Sequence, residues 1–139
     1  MKLYYAAGTC SFAAHIAARE AGIPLELEKV DIFKTPHMTA TGQDFSRINP
    51  KGYVPALLLD DGSLLSEGAA IVQYLADLNP DAGLAPPAGT MERYRLQSWL
   101  SFVAAELHKR DRINIEGELA TRPNQPHCML VSMTCTGFS

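Results

Sequence analysis

The order of hydrophobic periods at the N-terminus is the strongest constraint on this chain. Lys2 to Tyr5 form a short apolar run, which Gly8-Thr9 interrupt. From Ser11 onward, Phe12, Ala13, Ile16, Ala17 and Ala21 recur at helical spacing. Gly22, followed by Pro24, stops that helix, with glycine standing just past its end. Leu25, Leu27, Val30 and Ile32 then suggest a second strand, whose alternation slips once, at Lys29. Strand, helix and strand in this order predict two parallel strands joined by a crossover helix.

The next segment, Phe33 to Pro50, is polar and mixed, and reads as a loop with one helical turn near Asp44 to Ile48. Val54 to Leu59 reads as a third strand. Asp61-Gly62 is a turn signal and Ser63 to Leu65 a short fourth strand, so this pair is an antiparallel hairpin. Ser66 is an N-cap candidate for a mostly apolar helix from Glu67 to Leu78, which ends before Pro80. The whole predicts an α/β domain over residues 1–80, βαβ followed by ββα, with a mixed four-stranded sheet. Residues 81–89, rich in Pro and Gly, read as a linker. Thr90 caps a long helix over 90–109, with Met91, Tyr94, Trp99, Phe102, Val103 and Leu107 mainly on one stripe. Such a stripe needs a surface to pack against. Residues 110–139 show no sustained period and no helix caps, and read as an irregular tail.

Composition narrows the function. Charged residues are 19% of the chain and the net charge is −3, so the basic footprint of a nucleic-acid binder is missing. No apolar run approaches the roughly 18 residues of a membrane span. The N-terminus lacks the pattern of a signal peptide. Three cysteines, at positions 10, 128 and 135, do not suggest a disulfide framework or a metal spacing. The expectation is a cytoplasmic protein without a metal.

Several separated motifs resemble the bacterial beta-class glutathione transferases. They are Met1-Lys2-Leu3-Tyr4-Tyr5 with Gly8-Thr9-Cys10-Ser11, then Asn49-Pro50-Lys51-Gly52-Tyr53-Val54-Pro55-Ala56-Leu57, and Leu65-Ser66-Glu67-Gly68 running on to Leu75. The helix with Trp99-Leu100 and Glu106-Leu107-His108-Lys109 is also similar to that family. The resemblance ends after about residue 109. The chain is therefore read as truncated or frameshifted there, ending in an incomplete all-α domain.

The resemblance implies a thioredoxin-like glutathione-binding domain and assigns residues to it. Cys10 lies where the first strand meets the first helix. A helix N-terminus stabilises a thiolate, whereas a small buried core residue is the plainer reading of a cysteine; the resemblance selects the active site. Ser11 is a cap or a donor to the sulfur, and Tyr5 a core aromatic or a site-lining one. Proline inside a strand removes a ladder donor. By resemblance Pro55 is cis, and Val54 offers its N–H and C=O to glutathione's cysteinyl backbone. Ser66-Glu67-Gly68 is either an ordinary helix start or an anion site; the resemblance makes Glu67 and Gly68 the holders of the γ-glutamyl group. Ser101, Ala105, Glu106, Leu107 and His108 complete the implied glutathione site, although a histidine near a helix C-terminus is also a plain dipole partner. The family's loop lysine is not matched clearly, since Lys34 and His37 both lie in a longer loop.

The implied activity is conjugation of the glutathione thiol to electrophiles, or thiol–disulfide exchange through Cys10. Glutathione would be co-substrate, with no prosthetic group, and a small hydrophobic electrophile the second substrate. The full-length family forms homodimers. The competing expectation is a glutathione-binding, non-catalytic remnant.

Overall fold

The computed structural model describes residues 1–108, which divide into a first unit ending at Leu84 and a second beginning at Ala85. The expected tail, 110–139, which includes Cys128 and Cys135, lies outside the described residues, as does Lys109 at the end of the expected long helix. The first unit runs β1 (Lys2–Tyr5), α1 (Ser11–Glu20), β2 (Glu26–Asp31), β3 (Met38–Thr39), a 3-10 turn (Phe45–Arg47), β4 (Ala56–Leu58), β5 (Leu64–Ser66) and α2 (Gly68–Leu78). Its sheet order is β3-β2-β1-β4-β5. β1 is parallel to β2, with Leu3 opposite Leu27, and antiparallel to β4, with Leu3 opposite Leu57. β4 and β5 form the antiparallel hairpin. This is a thioredoxin-like α/β arrangement around a mixed sheet. It has one strand more than expected, because Met38–Thr39 pairs with the outer edge of β2 from within the segment read as loop.

Glycine punctuation fixes the return from α1. Gly22, at φ +69°, donates to Arg19 O at 3.0 Å, and Ile23 N–H reaches Ala18 O at 2.8 Å. These two bonds make a Schellman closure. Ile23 then packs on a core of Leu3, Ala14, Ala18, Leu57, Ile71 and Leu75, and Asn79 Nδ2 caps Ala21 O at 2.9 Å. A second cluster, Tyr4, Val30, Phe45 and Ala56, contains residues that alternate in β1 and β4 with those of the first, so it covers the opposite face of the sheet. The slip in β2 is thereby explained. Leu25 packs on the first cluster while Val30 and Ile32 pack on the second, because both faces of the sheet are covered.

Three boundaries differ from the sequence expectation. β4 begins at Ala56, two residues later than Val54, since Pro55 has no N–H to give a ladder. β5 is Leu64–Ser66, because Asp61 Oδ1 holds Ser63 N at 2.8 Å and Ser63 Oγ at 2.6 Å within the turn. Ser66 is consequently a strand residue opposite Ala56, and the N-cap of α2 is Glu67, which is not helical.

In the second unit, Thr90 caps α3 (Met91–Phe102) by accepting from Arg93 N at 3.2 Å, as the sequence indicates. Arg93 is the buried residue of that helix and donates to Pro86 O at 2.8 Å. The helix passes into a π-helical turn, Val103–Leu107. Met91, Tyr94, Trp99 and Phe102 are exposed, with the rings of Trp99 and Phe102 edge to face. Among the described residues, no helix is long and apolar enough to cross a membrane.

Candidate active site

Cys10 is the N-cap residue of α1 and is exposed, so the reading as a buried core cysteine does not hold. Its own side chain does not cap the helix. Thr9 does that work: Ser11 N–H donates to Thr9 Oγ1 at 3.3 Å and Phe12 N–H to Thr9 O at 3.1 Å. Ser11 is neither a cap nor the sulfur's donor. It is buried, and its hydroxyl binds Thr9 Oγ1 at 2.7 Å and Ala6 O at 3.0 Å, pinning the turn between β1 and α1. Cys10 is thus presented at a helix N-terminus on a fixed turn. Its thiol donates to Val54 O at 3.6 Å.

Val54 lies just before β4, and the Val54–Pro55 peptide is cis. The preceding loop is organised by Asn49, which is 2% exposed. Asn49 Nδ2 donates to Tyr53 O at 2.8 Å, its Oδ1 accepts from Lys51 N at 3.2 Å, and its carbonyl accepts from Gly52 N at 2.8 Å. Gly52 takes φ +70°, a conformation that costs a residue with Cβ but not glycine. A buried amide with both ends satisfied is a stiff brace, and it holds Lys51 on one side and Val54 on the other.

Glu67 closes the arrangement. Among the described residues it is the non-glycine with positive φ, at φ 74° and ψ 115°. Such a backbone costs on the order of 1–3 kcal/mol and is concentrated at functional sites. Its Oε1 is paired with Lys51 Nζ at 3.0 Å, and Lys51 also reaches Ser66 Oγ at 3.5 Å. A Cβ on Gly68 would lie 3.8 Å from Pro55 Cγ, so the start of α2 stands directly against the Val54–Pro55 segment. Cys10, Val54, Pro55, Glu67 and Gly68 therefore converge in the first unit, although they come from three separate stretches of chain. Lys51 and Asn49 belong with them and were not singled out from sequence; the Asn-Pro-Lys-Gly turn signal was the available clue.

The loop cations are engaged differently. Lys34 pairs with Asp31 at 3.3 Å, whereas His37 Nδ1 lies 3.1 Å from Gly52 O. His37 also lines an open cavity of about 230 Å³ with Thr35, Pro36, Asp44, Ser46 and Gly52; Cys10 is not part of its lining. Of the second-unit residues, Ser101 is exposed near the end of α3, Ala105, Glu106 and Leu107 are in the π-helical turn, and His108 follows it. Among the described residues, no group of three or more His, Cys, Asp or Glu side chains converges to hold a metal ion.

Comparison with known proteins supplies the context for this geometry. Residues 8–78 match the family model of the glutathione S-transferase N-terminal domain. The chain is 51% identical over 109 residues to glutathione S-transferase GstA of Escherichia coli O157:H7, covering 78% of this chain and 53% of that one. A solved bacterial beta class glutathione S-transferase from Sphingomonas chungbukensis is 52% identical, with a TM-score of 0.75, covering 78% of this chain and 53% of that one. A sphingomonad glutathione S-transferase complexed with glutathione is 40% identical, with a TM-score of 0.74, covering 91% and 73%. The chain spans about half the length of the curated relatives it matches.

Proposed function

Because this chain belongs to the glutathione S-transferase family, by way of its N-terminal domain, we propose that its first unit binds glutathione and directs thiol chemistry beside Cys10. The observation that carries this reading is the 3.6 Å contact between Cys10 Sγ and Val54 O. It joins an exposed thiol at a helix N-terminus to a backbone segment suited to an extended peptide. The cysteinyl N–H of glutathione would donate to Val54 O, taking the acceptor to which the Cys10 thiol now donates. The γ-glutamyl head would meet Glu67 and the start of α2, whose N-terminal N–H groups favour a carboxylate.

Two reactions are open to such a site. In conjugation, the glutathione thiolate attacks an electrophilic carbon of a small hydrophobic substrate, and the leaving group departs with the displaced electron pair. In exchange, the Cys10 thiolate attacks a glutathione disulfide, one S–S bond replaces another, and glutathione leaves as thiolate. By resemblance Ser101, Ala105, Glu106, Leu107 and His108 also serve glutathione, and the family resemblance implies a cytoplasmic location and, for the full-length family, a homodimer. The second reading is glutathione binding without turnover; the chain itself spans about half the length of its relatives.

Titration calorimetry of the whole chain with glutathione tests the binding, and mass spectrometry after oxidised glutathione tests for a mixed disulfide that Cys10→Ser abolishes. Turnover with a model electrophile separates the enzyme from the binder. No heat and no adduct from folded protein would overturn the reading.

A further inference from the structure

We infer that Thr9 is a positioning residue for Cys10: its hydroxyl caps α1 in the cysteine's place and leaves the thiol turned toward Val54. This rests on the reading of Cys10 as the thiol of the site and names what governs its reactivity. Cys10 occupies the N-cap position of α1, yet its backbone is already helical, at φ −58° and ψ −14°. Residues whose side chains do cap a helix here are extended, Thr90 at φ −87° and ψ 155° and Asp44 at φ −69° and ψ 113°. Cys10 therefore stands inside the first turn, and the cap acceptor comes from one residue earlier. Thr9 Oγ1 accepts from Ser11 N at 3.3 Å, and Thr9 O accepts from Phe12 N at 3.1 Å.

The hydroxyl is held from behind. Thr9 Oγ1 donates to Ala6 O at 2.8 Å and lies 2.7 Å from the buried Ser11 Oγ. It is thus tied to the residue that follows β1. A thiolate at a helix start gains most when it takes the first N–H groups itself. Here a neutral hydroxyl has taken one of them, and the Cys10 thiol donates to Val54 O at 3.6 Å instead. A thiol that donates is protonated, so Thr9 favours the resting thiol form that faces the start of β4. With the hydroxyl removed, the Ser11 N–H needs an acceptor. The Cys10 sulfur is the next one along the chain, and it accepts best as thiolate.

The test is exchange of the full chain with hydroxyethyl disulfide across pH, read at Cys10 by peptide mapping. The Cys10 thiolate attacks one sulfur, a new S–S bond replaces the old one, and mercaptoethanol leaves as thiolate. Thr9→Val keeps the shape of the side chain and removes the hydroxyl. One hydrogen bond to a charged sulfur raises the thiolate fraction about tenfold at acid pH, and the weaker nucleophile returns about threefold. The variant should react about threefold faster than the parent at about pH 5 and about threefold slower at about pH 10, so the profiles cross. Thr9→Ser, which keeps the hydroxyl, should follow the parent. Parallel or coincident profiles for Thr9→Val, or a crossing for Thr9→Ser, overturn the assignment. If Thr9→Val fails to fold, proton NMR of the parent decides. Its Ser11 amide should shift no further than its neighbours as Cys10 titrates. A downfield shift confined to Ser11 would put the sulfur in the place of Thr9 Oγ1 and overturn the assignment. Neither measurement uses glutathione, so calorimetry still decides the binding reading on its own.

Discussion

Replacing Glu28 by glutamine should remove a pH-dependent share of the first unit's stability. Glu28 lies on β2, 5% exposed, and faces the second core cluster's side of the sheet between Glu26 and Val30. Thr41 Oγ1 donates to its carboxylate, Lys2 Nζ pairs with it at 3.0 Å, and Thr39 Oγ1 lies 2.9 Å from Thr41 Oγ1. The Thr41 hydrogen bond first, and then those of Lys2 and Thr39, outweigh desolvation and bring its pKa from 4.5 down to about 2. Hydrogen bonds to Glu26 and Glu28 correspondingly hold the Lys2 ammonium's pKa above its ordinary value. A depressed folded-state pKa makes the ionised carboxylate a stabiliser. Its contribution is complete above about pH 5 and falls away as pH drops toward about 2. At about 1.4 kcal/mol for each unit between the two states, the ceiling is about 3 kcal/mol. About half of that remains at pH 3. Urea unfolding followed by circular dichroism at pH 7 and pH 3 measures both values. Glu28→Gln should lose about 2–3 kcal/mol at pH 7, with the deficit shrinking by half or more at pH 3. A deficit under about 0.5 kcal/mol at pH 7, or one equally large at both pH values, would refute the ionised-cluster argument.

Other substitutions probe the remaining supports. Phe45→Ala deletes a fully buried ring whose centroid lies 5.5 Å from that of Tyr4 in a tilted contact, and should cost about 3–5 kcal/mol by chemical denaturation; retention of parent stability would mean that the second cluster is not a packed core. Gly22→Ala puts a Cβ at φ +69° with no steric neighbour, so its cost should be the backbone term alone, about 1–2 kcal/mol in the unfolding midpoint analysis. Iodoacetamide should alkylate Cys10 at neutral pH faster than it alkylates N-acetylcysteine, as peptide mapping would report, since the thiol is exposed at the N-terminus of α1. A slower rate would mean that the bond to Val54 O outweighs the helix end.

The local stops and starts of this fold were legible because single residues dictate them. Gly22 ends α1 by the only backbone sign that closes a Schellman turn comfortably, and Thr90 begins α3 with its own hydroxyl. What was not legible depends on partners distant in sequence. Glu28 is a carboxylate on the same face of β2 as Val30, and Thr39, Thr41 and Lys2, all outside β2, satisfy it there. The two-residue strand at Met38–Thr39 is too short to carry a period, and exists because the edge of β2 accepts it.

The candidate site divides along the same line. Cys10 was visible because a strand-to-helix junction is a local feature, and the Val54–Pro55 segment because proline interrupts an apolar run. The start of α2 was displaced by one residue: Ser66 has the better capping side chain, but its ladder position opposite Ala56 keeps it in β5 and passes the cap to Glu67. That shift has a chemical consequence. A serine cap would have turned its hydroxyl onto the first N–H groups of the helix. Glu67 occupies the cap position with no side-chain bond to the helix, and its carboxylate turns instead to Lys51. The strand register thus leaves the α2 N-terminus without a side-chain cap and sets an anion beside a cation at its edge. Propensity for capping could not indicate this, because the deciding contact lies across the sheet rather than along the chain.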